Sequence, residues 1–357
     1  MRHTHARTTR LRLAAPLVAA AIAAPALSAC SLAGGDGGAD DGTPTVVLLA
    51  HESFQLPDEL VEAFESEHDV ELEVRQPGDA GAIVTEVALN PDDSGADVIF
   101  GVDNTLASRL LDVDAVVDFE GELPSGAEAY ALDDPRLVPI DSGDVCVNVD
   151  TQWFADRGIV EPTSLDDLLD PTYDELFTTP GPVASSPGLA FLLATIAAYG
   201  EDGWQEYWQG LLDNGTEVVA GWSDAYEGSF SAGGGGGQRP IVLSYASSPA
   251  FTVTEDGSAT TTRALLDACF AQTEFAGVLA GADEPELAQD LVTWLLSEDV
   301  QAALPDSMYV YPVRDDVELP EAWAEFAPLP EETLSLPADE IAANREEWIG
   351  QWRDLVE

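Results

Sequence analysis

The chain has 357 residues, 45% of them hydrophobic, and carries 67 acidic residues against 13 basic ones, for a formal net charge of −54. That is enough apolar material for one large or two medium domains, and too much for a disordered acidic tail. Every basic residue is an arginine, and nucleic acid is excluded as a partner because its phosphates would be repelled. The acidity is spread along the whole chain, so it reads first as a solvated, salt-tolerant coat and only second as a cleft that attracts cations.

Arg2, Arg7, Arg10 and Arg12 precede an apolar stretch over residues 13–27, and LSAC follows, ending at Cys30. A basic start, a short apolar run and a small-residue cleavage site make an export signal, not a membrane span. The LSAC ending resembles the lipobox of bacterial lipoproteins, which implies that Cys30 is lipidated and becomes the first mature residue. The alternative is an ordinary signal peptide with an incidental cysteine. Removing the leader takes four arginines and no acid, leaving nine against 67, a charge of −58. Residues 31–44, SLAGGDGGADDGTP, read as a flexible tether.

The mature part alternates strand and helix patterns. TVVLLA (45–50) is a buried strand, PDELVEAFESEH (57–68) a helix with Leu60, Val61 and Phe64 on one face, and VELEVRQ (70–76) a strand. AGAIVTEVAL (80–89) is helical, ADVIFGV (96–102) a buried strand, and NTLASRLLDV (104–113) a helix. Such alternation predicts an α/β domain with a largely parallel sheet. VPIDSGDVCVNVD (138–150) reads as a crossing strand and TSLDDLLD (163–170) as helical. In residues 183–200, Ser185 or Ser186 caps an apolar helix with Pro187 in its first turn and Gly200 at its end. TEVVAG (216–221) and IVLSY (241–245) are strands, with GWSDAYEG and ASSPAF hanging off their ends. ACFAQTEFAGVLAGA (268–282) crosses back, residues 284–304 form one helix, and a last helix runs from about Pro337 to Leu355. Its Trp348 and Trp352 suit packing better than ligand contact.

Ligands of open α/β sheets sit at the carboxyl ends of strands. His51, Glu52 and Ser53 follow the first strand there, and Asp103 and Asn104 follow the third. Asp103 also suits the cap of the next helix, and both roles fit its two oxygens. The helix start at Ser185 can hold a polar group or simply be capped. Trp222, Tyr226, Tyr245 and Phe251 lie at or beyond strand ends, which favours a flat wall for a ligand over a core plug. Cys146 and Cys269 remain once Cys30 is set aside, and export permits a disulfide between them; two separate buried thiols are the alternative.

The order of signal, lipobox, tether, lobe, crossing, second lobe, crossing back and helical tail resembles the substrate-binding proteins of ABC importers, and within them thiamine-binding proteins. The likeness covers about residues 45–355. It rests on ADVIFGVDNTL (96–106), SSPGLAFLL (185–193), GWSDAY (221–226), VLSYASSPAF (242–251), ALPDSMYVYPV (303–313) and REEWIGQW (345–352). The resemblance implies a two-lobed periplasmic-binding-protein-like (type II) fold. It implies lobes at 45–141 with 275–357 and at 142–274, joined by two hinge crossings. It further implies a lipid-anchored monomer on the outer face of the membrane that binds thiamine or its phosphates and delivers it to a permease, with no cofactor. Carried over by position, Asp103 matches the carboxylate near the ligand, Ser185 a serine contact, Trp222 a stacking indole and Tyr245 a tyrosine of the cleft. Tyr309 and Tyr311 border the site. His51 and Phe251 stand where tyrosines are common, and a tryptophan expected after Phe54 is absent. Few arginines lie near these motifs, which favours the unphosphorylated ligand.

Three rivals stand beside this reading. The same fold could carry ferric iron through Tyr309 and Tyr311, or a polyamine. A hydrolase built on His51 is conceivable, but the chain has no HExxH, GxSxG, phosphate loop or lysine, and His68 suits a solvated helix end. A purely structural surface lipoprotein is the third.

Overall fold

The structure, a computed structural model, describes residues 43–356; the leader, Cys30 and most of the tether lie outside the described residues. The chain enters through β1 (Thr45–Leu49), α1 (Asp58–His68), β2 (Glu71–Arg75), α2 (Ala80–Leu89) and β3 (Val98–Asp103). The short α3 (Ala107–Leu111) and β4 (Val116–Val117) lead to the long β5 (Val138–Asp150). There follow α4 (Thr151–Arg157), β6 (Phe177–Pro180), α5 (Ser186–Tyr199), α6 (Trp204–Asp213), β7 (Glu217–Val219), β8 (Ile241–Tyr245) and β9 (Thr262–Ala264). The chain returns through β10 (Phe270–Leu279), and closes with α7 (Pro285–Leu295), α8 (Glu298–Met308), β11 (Tyr311–Pro312), α9 (Glu321–Phe326) and α10 (Ala338–Val356).

The main sheet path runs β2-β1-β3-β10-β5-β8-β6-β7. β1 pairs in parallel with β2 and β3, and β6 with β7 and β8. The two crossings, β5 and β10, lie side by side and antiparallel at the centre. This is a mixed α/β, two-lobed periplasmic-binding-protein fold: the β1–β3 half makes the first lobe and the β6–β8 half the second. One face of the first lobe packs Val46, Leu48, Phe64, Val98 and Phe100 against α7 and α8. Its other face, with Ile83 and Val84, is continuous with the core of the second lobe around Phe191, Trp208 and Trp352.

Local sequence explains most of these boundaries. α2 starts where the Asp79 side chain accepts from Ala80 N–H, and α5 where the Ser185 hydroxyl accepts from Gly188 N–H. The run over 284–304 is two helices, not one. Ser297 stops the first and caps the second by accepting from Val300 N–H, and Glu298 and Asp299 sit in the new first turn, where the helix dipole favours them. TSLDDLLD yields only a short 3₁₀ turn, Asp166–Leu169, because Asp167 turns back to accept from the Thr163 and Ser164 N–H groups. The helix expected from residue 104 begins at Ala107, after a turn gathered by Asp103. GWSDAYEG is not a loose loop; Asp224–Ser229 winds into a π-helical turn.

Cys146 on β5 and Cys269 just before β10 are disulfide-bonded, with Cα atoms 4.3 Å apart. The bond ties the two crossings at their second-lobe end and closes a loop with a sequence separation of 123. In the chain-entropy model such a loop contributes roughly 4–5 kcal/mol. Urea unfolding of Cys146→Ser/Cys269→Ser should show a loss of that order, and a midpoint equal to wild type would contradict it.

Candidate functional site

The strand ends of the two lobes face each other across a cleft, and Asp79 spans it. Its Oδ1 accepts from Ala80 N–H at 2.6 Å and from Ser186 N–H at 3.3 Å, and its Oδ2 from Trp222 N–H at 3.1 Å. One first-lobe carboxylate thus holds the starts of α2 and α5 and the backbone of Trp222. Ser53 Oγ lies 3.3 Å from Ser223 Oγ, a second contact between lobes. The approach is close: a Cβ on Gly81 would stand 2.7 Å from the Ala184 carbonyl oxygen, so only glycine fits there. Gly221, the residue before Trp222, leaves room for Glu52 in the same way, since a Cβ would lie 2.6 Å from Glu52 Oε1.

Trp222 is 7% exposed. Its Nε1–H donates to Ser244 Oγ at 3.0 Å, and Tyr226 stacks on it at 5.0 Å with the planes 10° apart. Tyr245 and Tyr309 each sit 6.3 Å away, tilted and edge-on respectively. The indole walls both parts of the cleft. An inner part of about 30 Å³ is bounded by His51, Asp79, Tyr245 and Glu274; an outer part of about 260 Å³ is bounded by Glu52, Glu227, Met308 and Tyr309. Larger hollows, about 430 and 440 Å³, open elsewhere on the surface and share no lining residue with the cleft.

Behind the inner part lie three buried ionisable groups. Glu274 and Asp141 face each other across the β10–β5 ladder, and the register shifts at Glu274/Phe275. Such a bulge re-aims side chains. His51 Nε2 is 3.6 Å from Glu274 Oε2, an ion-pair contact beyond hydrogen-bond range, while its Nδ1 accepts from Ser53 N–H at 3.2 Å. Burial opposes the imidazolium, but Glu274, with Asp79 and Glu52, outweighs it and raises the His51 pKa. Asp141 is wholly buried with no hydrogen-bond donor on either oxygen. Burial, and then the neighbouring Glu274 carboxylate, push its pKa well up. At the cleft mouth burial, Asp79 and Asp224 raise Glu52. Gly101 makes space for His51: its φ is +90°, and a Cβ would come 2.3 Å from His51 Cδ2.

Other expected site residues are turned to structural work. Asp103 is fully buried. Its Oδ1 accepts from Thr105 N–H, Thr105 Oγ1–H and Leu106 N–H, and its Oδ2 from Ser186 Oγ–H, and it lines neither part of the cleft. Asn104 bonds along β10, accepting from Thr273 N–H and donating to Ala271 O. Ser185 is a cap. Phe251 lies off the cleft, against Tyr309 and Trp323. Tyr309 and Tyr311 do not converge as an iron pair would need. Tyr309 ends α8 in the left-handed region, whereas Tyr311 packs on Trp323 and donates to Ala327 O. Asp79, Glu274 and Asp141 were not foreseen, and Ser186 was read only as a candidate cap. The traces were an aspartate directly before a helix and carboxylates inside two largely apolar crossing strands.

A cleft between two lobes, walled by aromatics and acids and floored by the crossings, defines a solute receptor. Residues 59–330 match the bacterial extracellular solute-binding protein family, and the chain belongs to it. It is a solute-binding protein of ABC transport, as expected, and not an enzyme. It is 30% identical over 324 residues to a thiamine-binding periplasmic protein of Escherichia coli strain K12, covering 88% of this chain and 94% of the relative. A solved periplasmic thiamin-binding protein superposes with a TM-score of 0.77 at 26% identity, covering 88% of this chain and 97% of that one. Iron-bound HitA from Pseudomonas aeruginosa superposes with a TM-score of 0.67 at 19% identity, over 87% of this chain and 99% of that one, a likeness of fold alone.

Asp141 has a consequence for stability. Below the ordinary aspartate range the folded and unfolded chains both hold its proton. Above that range the unfolded chain releases it first, so Asp141 costs stability progressively as pH rises towards its raised native pKa. Asp141→Asn can donate to Glu274 without a charge. Thermal unfolding at about pH 5 and about pH 8 should show the variant more stable than wild type at the higher pH, with the gap narrowing at the lower. A constant gap would contradict the assignment.

Proposed function

We propose that this protein is a lipid-anchored receptor for thiamine or a thiamine phosphate, which it closes over and hands to a membrane permease. The observation that carries this reading is the Trp222 indole, stacked on Tyr226 and common to both parts of an acidic cleft. Thiamine has two flat rings, and its thiazolium carries a fixed positive charge. A desolvated cation over an indole gains roughly 2 kcal/mol. A carboxylate about 4 Å from it gains roughly 4 kcal/mol before desolvation, at an effective dielectric near 20. The likeness to thiamine-binding relatives supports the same ligand.

Trp222, Tyr245 and Tyr309 are the proposed walls, while Tyr226 is buried, lines neither part of the cleft and stacks on Trp222. Glu52 and Glu274 supply negative potential, and His51 is a polar partner for the aminopyrimidine. Asp103, Asn104, Ser185 and Phe251 brace these groups from behind. The lobes divide at 45–141 with 275–357 and at 142–274. A ligand that touches both lobes favours the form in which they close over it, a population shift. LSAC at residues 27–30 supports lipidation of Cys30, with residues 31–44 as tether and a monomer as the working unit.

Calorimetry of the chain starting after Cys30, in high salt, should show one-to-one thiamine binding. Trp222→Ala should weaken it at least about tenfold. Absence of heat, or equal affinity in the variant, would sink the proposal.

A further inference from the structure

We infer that the cleft selects an unphosphorylated organic cation, and that Glu52 and Glu227, on opposite sides of its mouth, are the groups that reject a phosphate. The inference rests on the reading of the cleft as a thiamine site. Three independent features of the molecule carry it.

The first is the mouth itself. Glu52, from the turn after β1, and Glu227, from the π-helical turn of the second lobe, both line the outer cleft with Trp222 and Tyr309. A ligand whose rings lie against Trp222 has its substituents pointing past these two carboxylates or into the inner part, which is bounded by Asp79 and Glu274. At the mouth a phosphate meets two carboxylates, and in the inner part the His51 imidazole already faces Glu274.

The second is the whereabouts of positive charge. There is no lysine, and no arginine lines either part of the cleft. Among the described residues Arg353 is exposed in the last turn of α10, and the other arginines are engaged elsewhere: Arg75 with Glu86, Arg136 with Asp114 and Asp134, Arg239 with Glu217, Arg263 with Glu161, Arg314 with Asp316, and Arg109 and Arg345 with Glu346. Arg157 lies over the Trp153 ring. Bidentate arginine is the usual means of holding phosphate, and none lines this cleft.

The third is the state of the helix starts. Free N–H groups at a helix N-terminus are the other common phosphate cradle. Both helix starts at the cleft, α2 and α5, are already occupied by carboxylates of the protein. Asp79 accepts from Ala80 and Ser186 N–H, and the Ser186 hydroxyl donates to Asp103. A phosphate would have to displace a buried carboxylate to reach them.

The test is competitive calorimetry with thiamine, thiamine monophosphate and thiamine diphosphate at two salt concentrations. Thiamine should bind at least about 100-fold tighter than the monophosphate, with a gap that narrows as salt screens the mouth. Glu52→Gln/Glu227→Gln should shrink the thiamine-to-monophosphate ratio at least about tenfold, whatever common loss both ligands suffer from the weaker hold on the thiazolium. Both residues are exposed, so the fold should survive. Glu201→Gln/Asp202→Asn removes the same charge away from the cleft and should leave the ratio unmoved. Equal binding of thiamine and its phosphates overturns the inference and leaves the thiamine reading standing. A ratio unmoved by the mouth variant, or moved as much by the remote one, overturns the role of Glu52 and Glu227. No binding of any of the three overturns the thiamine reading, and this inference with it.

Discussion

The closed cleft depends on one buried carboxylate. Asp79 sits where the starts of α2 and α5 come together, two positive dipole ends that would repel if left bare. Its two oxygens take N–H groups from Ala80, Ser186 and Trp222. Charge-assisted bonds of this kind are stronger than neutral ones, and a buried charge is tolerable only when so satisfied. The geometry leaves little slack, because Gly81 must bring its backbone against Ala184. The same carboxylate thereby caps a helix, joins two lobes and fixes the backbone that presents Trp222.

The crossings carry the complementary constraint. At one end the Cys146–Cys269 bond holds β5 and β10 together. Nearer the cleft the same two strands bury Asp141 and Glu274 beside each other, where an apolar pair would pack more cheaply. The bulge at Glu274 and the ion-pair contact with His51 turn that cost towards the cleft, whose inner wall becomes negative.

Much of the fold was readable from sequence because hydrophobic period and turn chemistry agreed. β1, α1, β2, α2, β5, α5 and β10 fall where apolar runs and caps put them. The split between α7 and α8 was missed because the apolar face continues through it, although Ser297 followed by two acids was a local start signal. α6 was passed over, although Trp204, Tyr207, Trp208 and Leu211, all buried, stand at helical spacing. At the site, Trp222, Tyr245, His51 and Glu52 do reach the cleft, because strand ends of an α/β sheet lead there. Asp103 sits at such an end too, but its Oδ1 gathers the turn at Thr105 and Leu106, as a cap would, and its Oδ2 is taken by Ser186, which no local pattern reveals. Asp79 went unread although it stands where a cap would, and its reach to Ser186 and Trp222 is a tertiary fact.

The most direct test of this account is the thiamine affinity of Asp79→Ala, measured by calorimetry alongside its thermal unfolding. With the clamp gone, the lobes lose the group that holds Trp222 in place. Affinity should fall by about 100-fold or more while unfolding stays cooperative. Wild-type affinity in a folded Asp79→Ala protein would contradict the claim that this carboxylate closes the cleft.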